Sequence, residues 1–147
     1  MEGKAFTEEK NLEELLRAIC FRIRVHGREA LKNYSITSAQ FDLLQRVYFN
    51  GPQTMTKLSQ MLGIAKSTTS GLVMRLVRDG FLNRTRDQKD KRIFKVEITV
   101  LGEEVIKAVI KKREEYIGTI IRKLPEKKRE EIRESLEILY KLMQEEE

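Results

Sequence analysis

The stretch 54-TMTKLSQMLGIAKSTTSGLVMRLVRDGFLNRTRDQKDKRIFKVEIT-99 decides how this chain folds. Its opening portion, 55–62, sets Leu58, Met61 and Leu62 on one side of a short helix, and Gly63 ends it. A second amphipathic run begins near Lys66, with Leu72, Val73, Leu76 and Val77 as its apolar stripe. Gly80 stands where a left-handed residue closes a helix. Two short helices joined by a tight glycine turn make a helix-turn-helix.

The second of these helices is asymmetric. Its first turns, Lys66, Ser67, Thr68, Thr69, Ser70 and Gly71, are small and polar, whereas its later half is apolar. Short side chains let a helix end approach another molecule, and hydroxyls bond to base edges or phosphate oxygens. The partial positive charge of a helix start also suits phosphate. On that reading Ser67, Thr68, Thr69 and Ser70 enter a major groove, while Lys66 and Arg75 hold phosphates and fix register. The plainer alternative is that Ser and Thr only cap the helix.

A hairpin follows. Residues 81–86 and 93–98 have strand character, and the second run alternates Phe94, Val96 and Ile98 with Lys95 and Glu97. The six residues between them, 87–92, are too polar to bury and too many for a two-residue turn, so they project into solvent. A projecting basic loop beside a helix-turn-helix describes a winged helix, with the wing placed to reach a minor groove. The fold class is therefore mainly α with a small β wing.

At this point a resemblance emerges. The run Asp87-Gln88-Lys89-Asp90-Lys91-Arg92, followed by Val96-Glu97-Ile98-Thr99 and Gly102, resembles the wing signature of the MarR family of bacterial and archaeal transcription regulators. There an Asp-x-Arg is followed by a strand ending Leu-Thr and then a Gly, and Ile98 stands here in place of the Leu. The run Arg78-Asp79-Gly80-Phe81-Leu82-Asn83-Arg84 is similar to the exit from that family's recognition helix, and the likeness extends from about residue 12 to the C-terminus. Ala65 departs from it, standing where a Ser or Asp cap is usual.

The resemblance implies a homodimer, acting as a repressor on a pseudo-palindromic double-stranded operator. Arg92 inserts into a minor groove, where A·T-rich sequence deepens the negative potential. Asp90 orients Arg92 through a charge-assisted hydrogen bond, Asp87 braces the loop, and Lys89 and Lys91 add attraction for phosphate. The bland counter-reading makes Asp90 and Arg92 an ordinary exposed pair. The resemblance further implies a small aromatic or phenolic effector lodged between the dimer helices and the winged domain. Cys20, His26, Tyr34, Phe41 and Tyr116 are the residues of this chain that could line such a pocket. Some family members sense peroxide through a cysteine on the first helix. Cys20 lies within an apolar stripe, which favours structural burial, and redox sensing stays as the alternative.

Composition agrees with a nucleic-acid partner. The 147 residues suffice for one domain with a core. Net charge is +6 and unevenly spread: residues 54–95 hold ten Lys/Arg against three Asp/Glu, while 125–147 hold five against eight. Basic charge thus gathers on the proposed reading elements. One cysteine and one histidine leave no disulfide framework, and no metal or cofactor is expected. No signal-peptide pattern or membrane-length apolar run is present, so the expected compartment is the cytoplasm. No nucleophile motif or phosphate loop suggests an enzyme. A winged helix serving protein–protein assembly remains the rival binding function.

The flanks read as helices seeking a partner. After a polar, frayed start, a helix from about Thr7 to Asn33 carries Leu12, Leu15, Leu16, Ile19, Cys20 and Ile23 as a stripe. Thr37 and Gln40 form a capping box, with Ile36 stapling against Phe41, and Asn50-Gly51-Pro52 stops that helix. Gln53 and Thr54 supply a minimal strand for the wing sheet and a cap on the next helix. Thr99 caps a long helix that Leu124-Pro125 interrupts, with Pro125 at the first position of the last helix. Ile132, Leu136, Leu139, Leu142 and Met143 form its narrow stripe. These observations divide the chain into an N-terminal dimerisation helix (1–36), a winged helix-turn-helix (37–99) and C-terminal dimerisation helices (100–147). An internal bundle is the alternative use of the same apolar faces.

Overall fold

The computed structural model of the chain describes residues 2–146, with side chains from residue 7 onward. Over these residues the order is α1 (Glu2–Arg28), a 3-10 turn (Glu29–Asn33), α2 (Ser38–Asn50), β1 (Gln53–Thr54), α3 (Met55–Leu62), α4 (Lys66–Arg78), β2 (Leu82–Arg86), β3 (Phe94–Ile98), α5 (Val100–Ile121) and α6 (Glu126–Gln144). The sheet is antiparallel in the order β1-β3-β2, with Gln53 opposite Val96, and Leu82 opposite Ile98 through to Arg86 opposite Phe94. The fold is the expected one, mainly helical with a small wing. No helix of the described residues is long and apolar enough to cross a membrane.

Most boundaries follow from local hydrogen bonding. Thr37 Oγ1 accepts from Gln40 N while Gln40 Oε1 accepts from Thr37 N, completing the capping box. Gly51, at φ 78°, stops α2. Thr54 ends β1 and caps α3 by accepting from Lys57 N. After α4, Gly80 adopts φ 87°, its N–H bonds to Val77 O and the Phe81 N–H bonds to Leu76 O. Those two bonds make a Schellman closure, which satisfies carbonyls the helix would otherwise leave open.

Several boundaries differ from the expectation. α1 already begins at Glu2, so residues 2–6, expected to fray, belong to the helix, and it passes into a 3-10 turn at Glu29 rather than running to Asn33. Met1 lies outside the described residues. Pro125, expected as the first helical residue, is the N-cap of α6, which starts one residue later at Glu126. Its extended ψ of 153° keeps it outside the helix it precedes.

The core forms where α2, α3, α4, the sheet and the first half of α5 meet. Leu43, Leu44, Leu58, Val73, Leu82 and Val105 are wholly buried, each stabilising the fold by about 1.5–3 kcal/mol relative to exposure. Ala30 and Leu31 from the 3-10 turn and Val105, Ile106 and Val109 from α5 belong to this same cluster. The packed unit therefore reaches beyond residues 37–99 on both sides. α1 and α6 behave differently: Leu15 is 60% exposed, and Leu136, Leu142 and Met143 are likewise exposed.

Candidate nucleic-acid interface

α4 is held with one face in the core and the opposite face in solvent. Thr69, Val73 and Leu76 are buried, whereas Lys66, Ser67, Thr68, Gly71, Met74, Arg75 and Arg78 are exposed. Thr69 corrects the sequence reading. Its side chain is wholly buried and its Oγ1 donates to Ala65 O at 3.1 Å, so it does not join the outward hydroxyls. The spacing 69-73-76 is a helical stripe, and extending the apolar face by one turn would have placed Thr69 inside. Ser70 is half-buried at the edge of that face.

The tip of α4 is open. Ala65 occupies the N-cap and no side chain caps the first turn. N–H groups at a helix start have no intrahelical acceptor, so this end offers donors and partial positive charge to an outside anion.

The wing presents its arginine outward. Arg92 Nε and Nη2 donate to Asp90 Oδ1 and Oδ2 at 3.1 and 3.2 Å, and the Arg92 N–H donates to Asp90 Oδ1 at 3.1 Å. One carboxylate thus grips both the backbone and the side chain of Arg92, which is 91% exposed. The Arg92 guanidinium, and then its backbone N–H, hold the Asp90 carboxyl below the usual carboxylate range. Asp87 closes the loop through its backbone, its N–H donating to Ile93 O at 2.8 Å. Lys89 and Lys91 are both exposed beside it.

Two further cations were missed from the sequence. The Arg84 and Arg86 guanidinium carbons lie 4.8 and 5.3 Å from the centre of the Phe94 ring. Arg86 faces Phe94 across the ladder and Arg84 lies diagonally to it. Alternation along 82–86 carried the signal, since Arg84 and Arg86 share a strand face with buried Leu82 and continue it past the edge of the core.

The five effector candidates do not form one cavity wall. Phe41 is buried in the core. Cys20, expected to be buried, is exposed on the single chain and borders a shallow groove with Leu12, Leu16 and Leu139. Its stripe is covered only in part among the described residues, with Leu16 and Ile23 half-buried and Leu12, Leu15 and Ile19 exposed. Tyr34 closes the 3-10 turn, half-buried against the core. His26 stacks on Tyr116 with ring centres 3.7 Å apart. A residue absent from the sequence reading joins this neighbourhood: Arg113, whose guanidinium lies 5.8 Å from the Phe41 ring centre. Its Nε is buried without a hydrogen-bond partner. Burial foremost, and then Arg24 and Arg28, push the Arg113 pKa down, with Asp42 partly opposing.

This fold recurs in known proteins. The family model described as MarR family matches residues 36–94. The uncharacterized HTH-type transcriptional regulator YsmB of Bacillus subtilis is 36% identical over 117 residues, covering 80% of each chain. The crystal structure of transcriptional regulator Tm0710 from Thermotoga maritima is 45% identical with a TM-score of 0.85, covering 93% of this chain and 96% of that one. A MarR family protein from Bacillus stearothermophilus is 32% identical with a TM-score of 0.81, covering 94% and 96%. Likeness at that level over nearly the whole length, including the terminal helices as well as the wing, places this chain in the MarR family of DNA-binding transcriptional regulators.

Proposed function

We propose that the protein is a homodimeric repressor acting in the cytoplasm on a pseudo-palindromic operator. α4 enters the major groove with Ser67 and Thr68 leading, Ser70 at the edge, and Lys66 and Arg75 on phosphates. The wing sets Arg92 in the adjacent minor groove, with Lys89 and Lys91 on the flanking backbone. The observation that carries this reading is the pairing of an uncapped, outward α4 tip with an Arg92 braced by Asp90 yet open to solvent. An ordinary surface ion pair would leave Arg92 loosely held. Here three hydrogen bonds from Arg92 converge on one carboxylate, and the surrounding segment is strongly basic.

Dimerisation is supported by the bare apolar faces of α1 and α6. Leu12, Leu15, Ile19, Leu136, Leu139, Leu142 and Met143 are all exposed on the single chain, and a monomer seldom leaves so many large apolar groups in water. A two-fold pair also presents two α4 tips to successive major grooves, which supplies the discrimination one small tip lacks.

The test is a fluorescence-anisotropy titration of a duplex selected by the full chain from a random pool. Arg92→Ala is expected to weaken specific binding by about 1–3 kcal/mol, and Lys89→Ala to lower the salt slope by about one. Unchanged specific affinity in Arg92→Ala would remove the wing from the interface.

A small aromatic or phenolic acid is the effector this reading favours, lodged beside His26, Tyr116 and Arg113. The support is the unpartnered Arg113 Nε among neighbouring cations, which an anion would relieve. Such a ligand alters DNA affinity only by binding the two arrangements of the dimer unequally. Benzoate serves as the probe: it should weaken DNA binding by the wild-type protein and leave Arg113→Gln unaffected. Equal response of both proteins would rule out Arg113 as the anion partner.

A further inference from the structure

The outward face of α4 carries two residues that the fold does not need there. Met74 is 60% exposed, an apolar side chain beside the cations Arg75 and Arg78 and away from buried Val73 and Leu76. Gly71 lies one turn before it on the same outward face, with a helical conformation open to any residue. A Cβ built at Gly71 meets nothing within 4 Å. Alanine would therefore fit the free protein and favour the helix, because glycine in a helix interior loses more backbone entropy on folding. By contrast, Gly102 is demanded by the fold, since a Cβ there would run into the Phe81 carbonyl oxygen.

A notch in the helix surface beside an exposed, flexible apolar side chain suits one feature of the major groove. The C5-methyl of thymine is the apolar group displayed there, whereas the other readable features are hydrogen-bond donors and acceptors. Lys66, Arg75 and Arg78 cannot read a methyl. Methionine is unbranched and polarizable and adapts to such a surface. The missing Cβ at Gly71 lets the helix backbone come close to a base edge.

Resting on the assignment of α4 to the major groove, we propose that Gly71 and Met74 determine sequence preference by reading thymine methyl groups. One methyl sits in the Gly71 notch and another lies against the Met74 side chain. The outward hydroxyls and cations then set register and polar contacts, while these two residues select T over C and over unmethylated pyrimidine.

The experiment takes the full chain, selects its preferred duplex from a random pool, and replaces the thymines of a half-site one at a time by deoxyuridine. That change removes a methyl and leaves every hydrogen-bonding group in place. Wild-type affinity is expected to fall about fourfold for each contacted methyl removed. Met74→Ala should lose sensitivity at one of those positions. Gly71→Ala should bind the selected duplex at least tenfold more weakly and yet melt at a higher temperature, a pair of opposite signs that a purely structural role would not produce. Equal wild-type affinity for thymine and uracil duplexes, or wild-type DNA affinity in Gly71→Ala, overturns the inference while leaving DNA binding intact. Failure to select any duplex sinks both the inference and the function on which it rests.

Discussion

Asp90 and Gly102 show how much a single position contributes. Because the Asp90 carboxyl is held below its usual range, its pairing with Arg92 is present at neutral pH and above the unfolded carboxylate value. It is lost as pH falls through the lower folded value. The Arg92 Nε–H resonance in NMR should therefore shift with a midpoint below the ordinary aspartate value. A shift centred at the ordinary value would mean the pair does not form. At Gly102 the helix start, the α4 closure and Phe81 are crowded together. Thr99 Oγ1 donates to Gly80 O at 2.6 Å and accepts from Gly102 N at 3.1 Å. Gly102→Ala should destabilise the protein by about 1–3 kcal/mol through overpacking, measured as a lower urea midpoint with unchanged slope. The Thr-x-x-Gly spacing after the wing was visible in the sequence; the Phe81 carbonyl that demands it was not.

At the scale of elements, α4 trades helix stability for access. A side-chain N-cap typically contributes about 0.5–2 kcal/mol, and Ala65 supplies none. Ala65→Asp should raise the melting temperature and weaken DNA binding, since the carboxylate would occupy the helix end that phosphate needs. Stronger DNA binding in that variant would contradict the assignment of the tip. In the wing, Phe94 gives Arg84 and Arg86 a common platform. Phe94→Leu keeps the apolar bulk and removes the ring face, so anisotropy titrations should show weaker DNA binding with the melting temperature little changed. The caps at Thr37, Thr54 and Thr99 were legible because donor and acceptor lie three residues apart. Thr69 is polar in type yet stands on the 69-73-76 stripe, so its place in the helical period, not its hydroxyl, sets its direction.

For the whole molecule, the decisive feature is the apolar surface that α1 and α6 leave exposed among the described residues. Leu15→Glu combined with Leu139→Glu should shift sedimentation from dimer to monomer and abolish cooperative operator binding, while the winged core, which excludes both residues, keeps its fold. A species that sediments identically before and after the change would return those faces to an internal role. The expected division at residues 36 and 99 also looks different at this scale. Ala30, Leu31, Val105, Ile106 and Val109 pack into the winged core, so the 3-10 turn and the first half of α5 belong to it. At the crossing of α1 and α5, His26 meets Tyr116 and Gly27 abuts Arg113, one turn along α5 from the Val109 that packs into that core.

By itself the sequence determined the helix-turn-helix, the wing, the capping residues and the basic segregation, because each depends on periodicity or on partners a few residues away. Only the tertiary structure decided that Thr69 points inward, that Phe41 is core, that Cys20 lies bare, and that the Arg113 Nε is buried without a hydrogen-bond partner. Those outcomes depend on which elements meet, and at what distance, and that is settled by the packing of residues far apart in the chain.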